Sequence, residues 1–217
     1  MTDRRRLAAA LGVPAEQWQP ALLQQITGAI AGGIDVVQIR EPDLDDRALA
    51  AIARDCLRAA AGTQTRIVIN NRTDVARVCA ADGVHLREDG LPPAAARRLG
   101  ASPFLIGRSV HSEDAARASD GADYVIAGPV FETVSKAGHP GLGVDGFRRI
   151  ARSAACPVWA IGGMSQGQAS ALTNAGAAGL AGIGAFIPPG PATDIVSSVQ
   201  HLVGNLRFVF DSPASLP

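Results

Sequence analysis

Residues 121–163, GADYVIAGPVFETVSKAGHPGLGVDGFRRIARSAACPVWAIGG, read as strand, loop, helix and strand. The strand runs are Tyr124–Gly128 and Val158–Gly163, with a helical pattern near 145–154 between them. Two strands joined through a helix belong to a parallel sheet. The same alternation extends in both directions. Further strands are predicted at Val36–Arg40, Ile67–Asn70, Gly83–Leu86, Leu105–Val110 and Gly179–Ala185. Ala-rich helical stretches fall near 16–32, 43–61, 73–80, 92–99, 112–119, 165–174 and 192–206. Asp43, Ser112, Asp145 and Ser165 are candidate N-caps, and Gly33, Gly62, Gly100, Gly121 and Gly176 stand where helices should stop.

Seven strands are one short of a closed barrel, so an open doubly wound sheet is the competing architecture. No GxGxxG follows the first strand. The glycine-rich strand ends at 162–163 and 182–184 come last, where α/β barrels build their phosphate site. The expected fold is a (β/α)₈ TIM barrel with its first strand lacking or truncated ahead of Met1-Thr2-Asp3. A single domain is expected over residues 1–208, with a Pro/Ser-rich disordered tail at 209–217.

The chain has 217 residues and a formal net charge of zero. That gives no support for a nucleic-acid or acidic-lipid partner. Arg4, Arg5 and Arg6 form too short a cluster to be a polybasic arm and read as a solvated loop or helix start. Cys56, Cys79 and Cys156 are dispersed with no CxxC spacing, which points to buried packing residues in a reducing, cytoplasmic compartment. No membrane span or signal peptide is expected. Against nineteen Arg there is one Lys, Lys136. A compact ammonium does what a planar guanidinium does not.

Polar residues at strand ends mark the chemistry. In VVQIR, Gln38 and Arg40 share a face with Val36 and form either a ligand-facing pair or a structural Arg–Glu arrangement. Asn70 and Asn71 end the next strand, as hydrogen-bonding groups or as a turn. In IGRSVHS, Gly107, Ser109 and His111 share a face. His111 is an acid/base candidate because histidine changes charge near neutrality. His85, flanked by apolar residues, reads as structural, and His139 and His201 are weaker candidates. The loop GPVFETVSKAGHPGLG carries Thr133, Ser135 and Lys136, suited to a phosphate ester. Gly162-Gly163 and Ile183-Gly184 can add bare backbone N–H groups.

Taken in order, TD, VVQIRE, INNRTD, ADGVHL, IGRSVHS, GADYVIAGPVFETVSKAG, PVWAIGGM and GAAGLAGIGAF resemble the thiamine-phosphate synthase superfamily from about Thr2 to Ile187. That superfamily holds synthases and thiazole tautomerases, and the resemblance implies a barrel with a phosphate pocket. Several positions depart from the synthase pattern. Pro42 stands where synthases carry a diphosphate-binding Lys, Asn71 where one Mg²⁺ Asp is usual, and Gly90 beside Asp89 where the second is usual. The thiazole-phosphate half (Thr133, Ser135, Lys136, Gly162, Gly163) is retained, while Ile183-Gly184 stand where synthases usually carry Ser and would contribute backbone contacts. VHS after IGRS and the FET of Phe131–Thr133 are similar to the tautomerases (TenI-type), whose strand-end His matches His111.

The resemblance therefore implies an isomerase that aromatises a carboxythiazole phosphate through His111. Gln38, Arg40, Asn70 and Ser109 would lie on the ligand, and no metal or other cofactor would be needed. The alternative is a thiamine-phosphate synthase joining hydroxymethylpyrimidine diphosphate to thiazole phosphate, with Mg²⁺ held through Glu88 or Asp89. A third reading is a non-catalytic thiazole-phosphate-binding regulator. Barrels of this kind often pair, so a homodimer is one expected assembly.

Overall fold

The computed structural model describes residues 1–100, 103–133, 138, 141–163, 166–192 and 194–211. Helices α1 (Arg4–Leu11) and α2 (Trp18–Ala31) precede β1 (Val36–Ile39). Then come α3 (Asp46–Ala60), β2 (Arg66–Asn70), α4 (Thr73–Val78), β3 (Gly83–Leu86), α5 (Pro93–Leu99) and β4 (Leu105–Val110). The remainder is α6 (Glu113–Arg117), β5 (Tyr124–Ala127), α7 (Gly143–Ser153), β6 (Val158–Ile161), α8 (Gln166–Asn174), β7 (Gly179–Ala181) and α9 (Ile195–Asp211). A 3₁₀ turn at Gly184–Phe186 stands between β7 and α9.

The seven strands lie in sequential order in one sheet. Val36 pairs with Arg66, Gly107 with Tyr124, Val125 with Val158 and Trp159 with Gly179, all in parallel. A doubly wound sheet would reverse its strand order partway along, so this winding is that of a (β/α) barrel. Seven strands, rather than eight, are present among the described residues.

The chain divides into two compact units. The first comprises Met1–Val84 and Ile183–Asn205. In it, Ile67, Val68 and Ile69 of β2 are fully buried, as befits a strand covered on both faces. The buried stripe of α3, Leu49, Ile52, Ala53, Cys56 and Ala60, follows helical spacing. Helices α2 and α9 approach closely at two glycines one turn apart. A Cβ on Gly28 would sit 2.4 Å from the Val196 carbonyl oxygen, and one on Gly32 would sit 2.7 Å from Val203 Cβ. Ahead of α1, the Thr2 N–H donates to the Gln38 carbonyl (2.9 Å), and the Arg40 N–H donates to Thr2 Oγ1 (2.9 Å). The Thr-Asp dipeptide thus lies beside the C-terminal half of β1.

The second unit comprises His85–Gly182 and the chain from Leu206 onward. Its core gathers Val110, Val125, Ala127, Val130, Phe147, Ile150, Val158, Ala160 and Leu172. Phe147 and Ile150 come from one face of α7.

Four strand ends differ from expectation. β1 stops at Ile39 rather than Arg40, β5 at Ala127 rather than Gly128, β6 at Ile161 rather than Gly163, and β7 at Ala181 rather than Ala185. At β6 the cause is backbone geometry: Gly162 and Gly163 take φ of 102° and 64°, outside the strand region. After β7 the chain tightens into the 3₁₀ turn. Helix α9 runs to Asp211, three residues past the expected domain end at 208.

Two caps also differ. Asp45, not Asp43, caps α3 by accepting from the Ala48 N–H (2.8 Å), while Asp43 is drawn off by Arg4 and Arg5. Asp145 lies inside the first turn of α7 and pairs with Arg148. Ser112 caps α6 as expected, accepting from the Ala115 N–H. Ser165 lies outside the described residues. The Asp45→Ala variant should lose about 1 kcal/mol, read as a lower urea midpoint with an unchanged slope.

Candidate functional site

The second unit carries a row of rings on neighbouring strands. His85 on β3 is 1 % exposed. Its Nε2 lies 2.9 Å from Ser109 Oγ on β4, and its Nδ1 lies 3.3 Å from the Tyr124 hydroxyl on β5. Tyr124 stacks on Trp159 of β6 with ring centroids 3.9 Å apart. Two small residues admit these rings. A Cβ on Gly107 would lie 2.1 Å from the Tyr124 ring and 2.5 Å from His85 Nδ1, and one on Gly179 would lie 2.9 Å from Trp159. Gly107 is therefore required for close approach rather than for an unusual φ. Burial pushes the His85 imidazole down to about 3 and raises the Tyr124 phenol. Both are neutral near pH 7. Gly107→Ala should cost about 1–3 kcal/mol through overpacking, measured by chemical unfolding. An unchanged midpoint would mean that the rings can move aside.

His111, just past β4, is exposed, and its Nδ1 lies 2.7 Å from Glu88 Oε2. Arg108 steadies the Glu88 backbone by donating from Nη2 to its carbonyl (2.7 Å). With the carboxylate holding Nδ1–H, Nε2 is the ring atom left to exchange a proton. This is the arrangement of a general acid/base oriented by a carboxylate.

The segment after β5 packs onto the end of β6. The Val130 N–H donates to the Ile161 carbonyl (2.8 Å) and the Phe131 N–H to the Gly162 carbonyl (3.2 Å). Side chains at 162 and 163 have no room there. A Cβ on Gly162 would meet Pro129 at 2.6 Å and Thr133 Cγ2 at 3.2 Å, and one on Gly163 would meet the Glu132 carbonyl oxygen at 2.4 Å. Thr133 thus lies beside the double glycine. Ser135 and Lys136, expected in the same cluster, lie outside the described residues, as does His139.

The other predicted residues belong to the first unit. Gln38 is 4 % exposed, and neither atom of its side-chain amide has a hydrogen-bond partner among the described residues. Arg40, expected on the same strand face, lies beyond the end of β1 and is exposed. The buried ion pair that could have involved Arg40 is made instead by its neighbour, Glu41, with Arg4 (3.2 Å). Burial raises the Glu41 carboxyl against the lowering pull of Thr2 and Arg4. Asn70 closes β2 half-buried, and Asn71 turns away with φ of 54°. Ile183 leads into the 3₁₀ turn, and the Arg6 guanidinium comes to 3.0 Å from where a Gly184 Cβ would be.

The acidic set that Mg²⁺ would need does not fit. Asp89 pairs with Arg87 (2.8 Å), Glu88 with His111, and Asn71 and Gly90 supply no carboxylate. Among the described residues, no three His, Cys, Asp or Glu side chains gather to hold a metal ion. No helix among them is long and apolar enough to cross a membrane.

The sequence did not suggest Glu88 as the partner of His111; it suggested a structural His85, and it singled out neither Tyr124 nor Trp159. A signal was present: polar-tipped rings in strands of a chain that is only 4 % aromatic.

Comparison with known proteins agrees with the winding and the motifs. Residues 12–186 match the family described as thiamine monophosphate synthase. The chain is 42 % identical over 178 residues to a thiamine-phosphate synthase of Methanoregula boonei, covering 80 % of this chain and 81 % of that one. It is 34 % identical over 210 residues to a thiamine-phosphate synthase of Azorhizobium caulinodans, covering 95 % and 94 %. A solved structure, thiamine phosphate pyrophosphorylase from Pyrococcus furiosus, superposes with a TM-score of 0.74 at 28 % identity over 94 % of this chain and 93 % of that one. Matched over most of its length, the chain belongs to the thiamine monophosphate synthase family of thiamine-biosynthesis enzymes.

Proposed function

We propose that this chain aromatises a carboxythiazole phosphate by proton transfer. The observation that carries the reading is the Glu88–His111 pair at 2.7 Å at the end of β4. In the substrate tautomer a ring C2–H bond breaks and a C–H bond forms at the exocyclic carbon. The net change is an isomerisation, with no electron acceptor and no leaving group. His111 Nε2 takes the first proton and returns it, while Glu88 keeps Nδ1–H in place. Thr133, Ser135, Lys136 and the backbone of Gly162, Gly163, Ile183 and Gly184 are assigned to the phosphate. Holding the remote phosphate fixes the ring beside the base. Gln38, with its unpartnered buried amide, is assigned to the ligand together with Arg40, Asn70 and Ser109.

The comparisons favour a second reading over this one, because the relatives at 42 % and 34 % identity are named thiamine-phosphate synthases. In that reading the chain joins hydroxymethylpyrimidine diphosphate to thiazole phosphate. Against it stands the acidic set that does not fit Mg²⁺.

One side-by-side assay on the full chain separates these readings. Aromatisation of the carboxythiazole phosphate tautomer in chelator, with negligible thiamine phosphate formed in Mg²⁺, is the expected result. Rapid thiamine phosphate formation would establish the synthase instead. Tight binding of thiazole phosphate with neither turnover would make the chain a non-catalytic regulator.

A further inference from the structure

Two hydrogen-bond chains are open to the His85 imidazole, and they differ in what Ser109 presents. In one, Ser109 donates to Nε2, Nδ1–H donates to the Tyr124 oxygen, and the phenol proton needs an acceptor elsewhere. In the other, the phenol donates to Nδ1, Nε2–H donates to Ser109 Oγ, and the serine proton is free. Tyr124 is 2 % exposed, and among the described residues the only hydrogen bond to its hydroxyl is the one with His85. The first chain therefore leaves a buried donor unsatisfied. The second leaves a proton only on Ser109, which is half-buried rather than sealed from solvent.

We propose that His85 is a positioning residue that holds Ser109 as a hydrogen-bond donor to the ligand, through the order Tyr124 hydroxyl to His85 Nδ1 and His85 Nε2–H to Ser109 Oγ. The group facing Ser109 is then an acceptor, such as an unprotonated ring nitrogen or a carboxylate oxygen. An amine or a protonated ring nitrogen is disfavoured there. That ligand preference rests on the proposed function; the proton order does not. Gly107 and Trp159 serve the same device, one by admitting the two rings and the other by stacking on the phenol.

The proton order is read by ¹⁵N NMR of the full chain labelled at histidine, with His85 assigned through its loss in His85→Gln. A pyrrole-type Nε2 and a pyridine-type Nδ1 are expected. The reverse tautomer, or an imidazolium at pH 7, would overturn the proposal. Its effect on binding is read with carboxythiazole phosphate as the probe. Tyr124→Phe should weaken affinity roughly fivefold in the native background and change it little in a Ser109→Ala background. Equal losses in both backgrounds would mean that the hydroxyl acts independently of Ser109 and would also overturn the relay. Failure of the native chain to bind the probe would refute the functional reading, while the tautomer would still decide the proton order.

Discussion

His111→Asn should slow aromatisation of carboxythiazole phosphate by about 10²–10⁴-fold, the range for a lost general acid/base. Asparagine can still donate to Glu88 but cannot accept and return a proton at the position of Nε2. Phosphate contacts are untouched, so product affinity should stay within roughly threefold. The measurement is single-turnover aromatisation beside equilibrium binding of the product. Unchanged turnover would remove His111 from the chemistry. A large loss of binding with intact turnover would move it to the substrate-holding set. Glu88→Gln keeps an acceptor for Nδ1–H but removes the charge, and its loss should be smaller than that of His111→Asn.

Acidification should destabilise the fold well above the carboxylate range, through His85. Its ordinary value is near 6.5, and burial holds it at about 3 in the folded chain. The unfolded chain therefore binds the proton first as pH falls. Stability from this group is fully present above pH 6.5, erodes below it, and is lost by about pH 3. The full difference is on the order of 5 kcal/mol. Urea midpoints should fall between pH 7 and pH 5, and His85→Gln should flatten that slope while lowering stability at pH 7. A native chain with flat stability across that interval would show that the imidazole is not held neutral.

The winding of the chain was legible because it depends on local pattern. The run from Tyr124 through α7 to Val158 shows its strand–helix–strand period in composition alone. The double glycine at 162–163 marked a special backbone because only glycine tolerates both a positive φ and contact with Pro129 and Glu132. His111, Ser109 and Thr133 stood out as candidates because polar groups at the C-terminal ends of barrel strands have few other reasons to be there. The end of β1 was misplaced, and with it the shared face of Gln38 and Arg40. What bonds the Arg40 N–H is the side chain of Thr2, thirty-eight residues away.

Strand order, candidate base and bare-backbone glycines were thus written in the order of residues along the chain, since periodicity and glycine tolerance act over a few neighbours. The pairing of Glu88 with His111, twenty-three residues apart, and the bond between His85 and Tyr124, thirty-nine apart, were not. Hydrogen bonds of that kind depend on strand register and on space cleared at Gly107. Both arise only when the sheet assembles, and no local pattern encodes which side chains will then meet.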